Sequence, residues 1–525
     1  MDSPGRKNSD DNIPALVSVT AIAVFCMVFA YWIVSVDVLL PYLEGASYLY
    51  RSFITYDNLR GNPADLIGVF LRSVDIARPP ILYFSAALSY FLLGESVCAA
   101  YAVVLFYALA ALIFTYKIGD ELGGRRAGLM AVLYVLGFGL FHVMARIFVT
   151  ELPLMAFLLA SVYLSISQDC LTDWRKTVLL GLSISGGLLS RGEFAFFFLP
   201  TGIQMVSGGV SKRRKDKLIH LVALALLVSF LAVPWYAVNF ERSIVYTYHI
   251  AFDAEKPLLE RALAWESIIF YPREYFQSSP LLSLLSIPAL FMAFRSRNNA
   301  LKVLALTLPL VYIIYLFPNF KIVRFLSPLI PLAGVLVGCM VSGIADKRLL
   351  VSVTLGLAII AAYTMATQYF SLVDGEVRPQ PFNPNDRSEK MVEIISRYTL
   401  HQPERPANVL VISHLLRSYN QMNVMALSHL RGIHMTLADP IGFLSQATIP
   451  YNLSAIDYAR EVSSSDFIVK NNRTACFWAF LSLETCKETL QNYHDEFERQ
   501  KGDFTKIGSV YSEADGEIEI YKKKG

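Results

Sequence analysis

Charge-free apolar runs are the feature that most constrains how this chain can fold. The first run, residues 14–36, contains no Asp, Glu, Lys or Arg, and similar runs recur as far as residue 372. A helix of about 20 apolar residues crosses the roughly 30 Å hydrocarbon core of a bilayer. Only 17% of the 525 residues are charged, whereas soluble domains carry roughly 25%. The pattern predicts an α-helical polytopic membrane protein.

The first run is too long for the apolar region of a signal peptide, and no small-residue cleavage site follows it. We therefore expect it to be retained as a membrane span. About eleven transmembrane helices are predicted from length and composition. They cover residues 14–36, 97–116, 127–145, 152–168, 177–190, 194–211, 218–238, 278–294, 303–318, 325–344 and 349–372.

A shorter apolar segment, Ile81–Gly94, fits an interfacial helix better than a span, because it has only about 14 residues. If it does not cross, every short basic loop, such as residues 211–217, lies on one side of the membrane. Lys and Arg concentrate in cytoplasmic loops, so residues 1–13 are predicted to be cytoplasmic. The opposite side then carries the first outer loop, residues 37–95, and a second long connection at 239–277.

The C-terminal region has a different pattern. Pro-rich "RPQPFNPND" falls within residues 373–386 and predicts a linker. The apolar stretches "ANVLVISH", "IHMTLADP", "SDFIVKN" and "GEIEIYKKK" predict strands, bounded by Asp, Gly and Asn turn residues. Strands that alternate with helical sequence indicate an α/β arrangement. We therefore predict a membrane domain over residues 14–372 and a small extracytoplasmic α/β domain over residues 387–525.

Ionisable residues gather near the predicted outer ends of the spans. Charges at membrane depth are costly and tend to be functional. For any one residue alone, a snorkelling or solvated charge at a helix end is the ordinary explanation. As a set, they supply carboxylates for proton abstraction and cations for an anionic lipid head group. The set comprises Asp37, Glu44, Arg72, Asp75, Arg78, His142, Arg146, Glu151, Arg191, Glu193, Lys321 and Arg324.

Such a set suits the transfer of a sugar from a lipid phosphate. A carboxylate removes the proton of an acceptor hydroxyl, which attacks the anomeric carbon. Arg or Lys balances the charge on the departing phosphate. The outer loops contain no Asp-x-Asp sequence and no His or Cys cluster with metal-ligand spacing, so the sequence predicts neither a metal nor a cofactor. The net charge of +3 gives no indication of nucleic-acid binding.

Seven short motifs follow one another over about residues 14–345. They are "LEGASYL", "RPPILYFSAALSYFLLGES", "GDELGGRRAGLMAVLY", "RIFVTELPL", "LLSRGEFAFFFLP", "PWYAVNF" and "KIVRFLSPLIPL". Because these motifs occur in this order, the chain resembles the GT-C superfamily of polyprenyl-phosphate-sugar-dependent glycosyltransferases. Within it, the chain is most similar to the protein O-mannosyltransferase and aminoarabinose transferase group. Each motif is short, and together they are specific for the superfamily but not for a substrate.

The resemblance implies roles for the acidic residues. Glu44 takes the place of the acid in the first loop, and Glu151 that of the second acidic motif. Members of the family often carry Asp-Glu in the first loop, with the Asp as the base. Here Leu43 stands in the Asp position, so Glu44 is the main candidate for the base and Asp37 an alternative. The implied reaction inverts the anomeric centre, and the acceptor hydroxyl, on a glycan, lipid or protein, faces the extracytoplasmic side.

The resemblance also implies how the donor binds. Lys321 and Arg324 match the position where the family meets the lipid phosphate, and Arg78 and Arg146 are further candidates for binding it. The expected partner is a sugar linked to an undecaprenyl- or dolichyl-type phosphate in the membrane. For the location, we expect the plasma (inner) membrane of a prokaryote rather than the endoplasmic reticulum, because the chain lacks the extra domains of the eukaryotic protein mannosyltransferases.

Three alternatives stay open. Oligosaccharyltransferases share the architecture but carry a Trp-Trp-Asp motif, and none of the five Trp residues here has a Trp neighbour. A lipid or small-molecule transporter would place polar residues in the middle of its spans and often repeat its halves, whereas here the charges gather at one face. A catalytically inactive GT-C protein is the third, because Leu43 replaces the usual Asp.

Overall fold

The computed structural model describes most of the predicted membrane domain and parts of the C-terminal region. The described residues are 12–35, 44–72, 78–167, 171–207, 214–252, 258–318, 321–373, 376–379, 388–399, 407–412, 428–429, 435–438, 458–471, 483–512 and 516–524.

Helices make up nearly all of the described structure up to residue 369. In a bilayer the backbone must satisfy its own hydrogen bonds, and a helix does so within one segment. The helices are α1 (Asn12–Ser35), α2 (Glu44–Gly61), α3 (Leu66–Leu71), α4 (Ile81–Leu93), α5 (Val97–Gly123), α6 (Arg125–Leu136), α7 (Gly139–Arg146), α8 (Glu151–Ile166), α9 (Trp174–Leu188), α10 (Phe194–Ser207), α11 (Arg214–Phe252), α12 (Leu258–Leu263), α13 (Trp265–Ser278), α14 (Pro280–Arg295), α15 (Asn299–Ile314), α16 (Leu329–Ser342) and α17 (Lys347–Tyr369).

The predicted spans can be compared directly with these helices. Each coincides with one of them, except that the span at 127–145 is divided between α6 and α7. Among the described helices, 4 are long and apolar enough to cross a membrane, α1, α5, α11 and α17, and up to 6 spans result if each of two bent pairs counts as one. Five further apolar helices have 10–17 residues. The number of eleven spans and their orientation stay predictions.

Two pairs of consecutive helices are sharply bent, α6 with α7 by 66° and α13 with α14 by 120°. The two bends contact each other. The backbone N–H of Gly139 donates to Ser279 Oγ at 3.0 Å. The N–H of Leu140 donates to Ser278 Oγ, also at 3.0 Å. These bonds satisfy N–H groups at the start of α7 that have no partner within the helix, and they attach the start of α7 to the bend between α13 and α14.

Small residues let the central helices α5, α6 and α16 approach one another closely. A Cβ added at Gly338 of α16 would lie 2.2 Å from the carbonyl oxygen of Ala127, and one at Gly128 would lie 2.5 Å from that of Tyr116. Glycine at such contacts is typical of helix packing in membranes, where van der Waals contact rather than exclusion of water drives association.

The C-terminal region contains strands as well as helices. Its elements are β1 (Phe370–Val373), β2 (Glu376–Pro379), α18 (Ser388–Thr399), β3 (Ala407–Ile412), β4 (Met435–Ala438), α19 (Tyr458–Ser464), β5 (Phe467–Asn471), α20 (Leu483–Gln500), β6 (Phe504–Ser512) and β7 (Gly516–Lys523). β1 and β2 form an antiparallel hairpin. The other strands form one sheet in the order β4-β3-β5-β7-β6.

This sheet is mixed: β3 is parallel to β4 and β5, and β7 is antiparallel to β5 and β6. Leu410, Ile468, Tyr493 and Phe497 are buried together and pack α20 against it. Strands β3, β4, β5 and β7 coincide with the four predicted strands, whereas β6 was not predicted. The predicted fold class, a helical membrane protein with a C-terminal α/β part, is confirmed. The domain boundaries and the side on which the α/β part lies stay predictions.

Candidate active site

A buried carboxylate lies between two guanidinium groups where three helical segments meet. Glu151 is the first residue of α8, where the positive end of the helix dipole favours an acid. Its Oε1 accepts a hydrogen bond from Arg191 Nη1 at 2.8 Å and lies 3.3 Å from Arg324 Nε. The side chain of Glu151 is 1% exposed. A buried charge is tolerated only when it is paired, and here two cations pair it.

Arg191 also holds a second carboxylate. It lies between α9 and α10, and its Nη2 donates to Glu193 Oε1 at 2.8 Å while its Nε approaches Oε2 at 3.4 Å. This is the two-point geometry that a planar guanidinium offers to a carboxylate. The guanidinium also lies over the ring of Phe325, 4.8 Å from its centroid. Arg191 is therefore held in position on three sides.

Arg78 belongs to the same group. It lies close enough to Glu151 and Glu193 to interact electrostatically with both. Its Nη1 donates to the Tyr48 hydroxyl at 2.7 Å, which links the group to α2. The start of α4 is fixed by a bond from Ile81 N to the carbonyl oxygen of Leu189. We refer to Arg78, Glu151, Arg191, Glu193 and Arg324 as the Glu151 cluster.

A second pair of cations lies at Lys321. The Lys321 ammonium donates to the carbonyl oxygen of Pro318 at 2.8 Å. Burial, together with the nearby Arg261 guanidinium, lowers the pKa of Lys321. The Nε and Nη1 atoms of Arg261 are buried and have no hydrogen-bond partner in the described part of the chain. A buried donor without a partner is costly, and an anion beside both cations would provide one.

A tyrosine lies close to Arg191. Tyr271 of α13 is buried and interacts electrostatically with Arg191. Its hydroxyl is a buried donor for which the described residues supply no partner. Tyr315 lies beside it, with the two rings 6.4 Å apart and nearly perpendicular. Aromatic faces with a polar tip suit the binding of a sugar, which also has apolar faces and polar edges.

The structure therefore brings together three of the predicted site residues, Glu151, Arg78 and Arg324. Lys321 lies three residues before Arg324 in the same connection. Arg146 is surrounded differently, since its guanidinium lies over the rings of Trp32 and Tyr369, 5.3 Å and 5.9 Å from their centroids.

The two candidates for the base lie at the edge of the described structure. Asp37 lies outside the described residues. Glu44 is the first residue of α2, four positions before Tyr48, and its side chain is not part of the described structure. Because residues four apart in a helix lie on one face, the Glu44 position shares a face with the tyrosine that binds Arg78.

Sequence reasoning did not select four of the residues found here. Arg191 and Glu193 were among the ionisable residues near the outer face but were not assigned a role. Arg261 and Tyr271 were not considered. The signal that could have found Arg261 and Tyr271 is their place in the second long connection, residues 239–277, which was predicted to lie on the same side as the first loop.

One stretch of the chain matches a known family model. Residues 77–236 match the family model described as dolichyl-phosphate-mannose-protein mannosyltransferase. That segment contains Arg78, Glu151 and Arg191. No curated protein matches this chain.

Solved structures match over almost the full length. ArnT from Cupriavidus metallidurans superimposes with a TM-score of 0.62 in the apo state and 0.64 when bound to undecaprenyl phosphate, at 13% identity, covering 96% of this chain and 97% of ArnT. The chain has the GT-C fold. The archaeal oligosaccharyltransferase AglB from Archaeoglobus fulgidus, in complex with an inhibitory peptide and a dolichol-phosphate, matches at a TM-score of 0.54 and 11% identity, covering 96% of this chain and 74% of AglB. The resemblance to the GT-C superfamily is confirmed, and at these identities the structural matches show the fold.

Proposed function

We propose that this GT-C protein is a glycosyltransferase that moves a sugar from a polyprenyl-phosphate donor to an acceptor hydroxyl on the extracytoplasmic face of the membrane. The observation that carries the proposal is the concentration of cations in a protein of this fold. The Glu151 cluster contains three guanidinium groups and two carboxylates. Lys321 lies three residues before Arg324, and Arg261 of α12 is near enough to interact with it electrostatically.

The donor phosphate binds at Lys321 and Arg261 in this proposal, with Arg324 next to them. Buried guanidinium nitrogens without a partner and a partly buried ammonium are suited to a phosphate, because charge-assisted hydrogen bonds are about twice as strong as neutral ones. The matching ArnT structure contains undecaprenyl phosphate, which supports a lipid phosphate as the ligand here. The lipid tail would explain why the site lies at the end of apolar helices.

Glu44 is the proposed base. Glu151 is less suited to that role, because its carboxylate already accepts from Arg191 and is paired with Arg324. Its side chain is also only 1% exposed, which leaves an acceptor hydroxyl little access to the carboxylate. We assign Glu151 the positioning of the two arginines. Glu44 begins the helix whose Tyr48 binds Arg78, so its backbone is attached to the cationic cluster.

The reaction is an inverting displacement. The acceptor hydroxyl gives its proton to Glu44 as its oxygen forms a bond to the anomeric carbon. The bond between that carbon and the phosphate oxygen breaks, and the phosphate leaves with the electron pair. Arg and Lys side chains stabilise the charge that develops on the leaving oxygen. Attack opposite the leaving group inverts the configuration at the anomeric carbon.

The test is a binding and turnover assay of the purified full-length protein with a panel of radiolabelled polyprenyl-phosphate sugars. We expect one donor to be consumed by the native protein and not by Glu44→Gln. Glu121→Gln, which removes an exposed carboxylate from the last turn of α5, is the control and should retain activity.

Each other outcome counts against the proposal in a defined way. Full activity of Glu44→Gln at an unchanged protein level would exclude Glu44 as the base. Tight donor binding without turnover by the native protein would indicate an inactive GT-C protein. Absence of binding to every donor would favour the transporter.

A further inference from the structure

A second group of ionisable side chains lies away from the Glu151 cluster. It joins Asp57 of α2, Glu95 in the turn between α4 and α5, and His429 from the C-terminal region, and one ligand atom from each lies within 4.8 Å of the other two. His429 Nε2 is 2.7 Å from Glu95 Oε1 and 3.7 Å from Asp57 Oδ2. Two carboxylates therefore converge on one imidazole nitrogen.

The orientation of the imidazole is set by an aromatic stack. The His429 ring lies parallel to that of Phe53, with 5.3 Å between centroids and 10° between planes. Phe53 in turn stacks on Tyr90, and the Tyr90 hydroxyl is 2.7 Å from Ser52 Oγ. This packing directs Nε2 toward the two carboxylates. A ligand atom whose direction is fixed by its supporting shell is typical of a metal site.

The charges and distances favour a metal ion over a simple ion pair. Nε2 offers one hydrogen bond or one lone pair, so it can satisfy only one of the two carboxylates that face it. Atoms bound to Zn²⁺ at about 2.0–2.2 Å in a tetrahedral arrangement lie roughly 3.3–3.6 Å apart. The observed 2.7 Å and 3.7 Å need adjustments of less than an ångström at side chains that are 22–51% exposed.

We propose that Asp57, Glu95 and His429 bind Zn²⁺, with a water molecule as the fourth ligand. One imidazole and two carboxylates match the nitrogen and oxygen ligands that Zn²⁺ accepts, whereas Ca²⁺ and Mg²⁺ take oxygen ligands. The ion joins the C-terminal region to α2, the helix that carries Glu44 and the Tyr48 bond to Arg78. Its role is to hold that region against the first loop. This proposal does not depend on the proposed transferase activity.

The test uses the full-length protein with its affinity tag removed, stripped with a chelator and then titrated with Zn²⁺ by calorimetry. We expect about one Zn²⁺ per chain and a rise in the unfolding temperature on loading. His429→Gln, Asp57→Asn and Glu95→Gln should each weaken Zn²⁺ binding by about tenfold or more. His494→Gln and Glu121→Gln, which remove an imidazole and a carboxylate elsewhere, should bind as the native protein does.

A second measurement covers the case in which a variant does not fold. Co²⁺ in place of Zn²⁺ in the native protein should give the strong visible absorption of a tetrahedral site. Stoichiometric Zn²⁺ binding that none of the three substitutions weakens would overturn the assignment, and so would the absence of Zn²⁺ binding to the native protein. A pH-dependent stability that needs His429 but no metal would show that the imidazolium, and not Zn²⁺, joins the two carboxylates.

Discussion

The two charged groups of this protein differ in sign and in burial. The Glu151 cluster combines three guanidinium groups with two carboxylates, and Glu151 is 1% and Arg191 8% exposed. The group at His429 combines two carboxylates with one imidazole, and Asp57 is 51% exposed. The first therefore attracts an anion and the second a cation. The comparison predicts that the two groups bind ligands of opposite charge.

Burial sets how much each group contributes to stability. Around Glu151 the low dielectric strengthens the attraction between charges but makes a lone charge expensive. Around Asp57 water can replace a lost partner, so an ion pair there is worth little by itself. The comparison predicts that substitutions in the Glu151 cluster affect folding, and that those around His429 act chiefly through metal binding.

The largest effect is expected for Arg191→Gln. It removes the donor of both 2.8 Å bonds and leaves Glu151 with Arg324 and the electrostatic influence of Arg78. We expect a loss of stability toward the lower end of roughly 3–5 kcal/mol, with loss of activity, measured by thermal unfolding in detergent. Adding Glu151→Gln to this variant should recover part of the stability, since it removes the buried carboxylate charge that has lost its Arg191 partner. A single variant as stable as the native protein would contradict the buried pairing.

The next effect concerns the chemical step. Glu44→Gln should lower kcat by about 10²–10⁴-fold, the usual contribution of a general base, with donor affinity nearly unchanged. Asp37→Asn is the matched variant, because it removes the alternative acid seven residues earlier. If Asp37→Asn shows the larger loss of kcat, Asp37 is the base and Glu44 is not.

Measurements of donor affinity test whether the cations Arg261 and Lys321 bind the donor phosphate. Arg261→Met and Lys321→Met should each weaken binding of a polyprenyl-phosphate sugar by about 10–100-fold, because each removes a charge-assisted hydrogen bond of roughly 1.5–3 kcal/mol. Arg273→Gln is the control, since its guanidinium is 55% exposed and paired with the adjacent Glu274. Equal affinity for all three variants would show that the phosphate binds elsewhere.

Donor affinity should also depend on pH through the protonation of Lys321, and this change is expected to be smaller than that caused by Lys321→Met. Burial and Arg261 lower its pKa, so the ammonium loses its proton at a lower pH than an ordinary lysine does. Donor affinity should therefore fall on the alkaline side as the pH rises toward this lowered pKa, by several-fold. Lys321→Arg keeps its charge in this range and should flatten the fall. Identical pH profiles for the two proteins would exclude Lys321 as a phosphate ligand.

The smallest effect is expected for Glu95→Gln in metal-free protein. Because this carboxylate is 26% exposed, its loss should change stability by about 1 kcal/mol or less. The difference from the native protein should become larger when Zn²⁺ is added. A large loss of stability without metal would show that this pair, like Glu151 with Arg191, is part of the folded core.

Helix positions could be predicted from the sequence because each depends on a local pattern. The runs at 97–116 and 349–372 became α5 and α17. The short Ile81–Gly94 segment became α4, which is ended by Gly94 at a φ of 79° directly after Leu93. The strand stretches around Ala407 and Phe467 were recognisable in the same way. A break within a run is harder to see, and the 66° bend that divides 127–145 was missed.

The composition of the candidate site could be predicted only in part. The acidic motif at Glu151 and the cation at Arg324 were identified, but nothing in the sequence shows that Arg191 lies between Glu151 and Glu193. Arg261 has no local motif around it. It is a candidate for binding the donor phosphate only because it lies near Lys321 in the folded chain. Likewise, 334 positions separate Glu95 from His429, so no ligand spacing could indicate a metal site.

The sequence by itself therefore determined that this is a helical membrane protein with a C-terminal α/β part, because apolar length and strand pattern act over 5 to 25 neighbouring residues. Only the tertiary structure decided which charges meet. An Arg at a helix end has the same local sequence whether it faces water, a lipid head group or a buried carboxylate. The packing of α8, α10 and the connection before α16 places Glu151 between Arg191 and Arg324, and that packing depends on contacts made far along the chain.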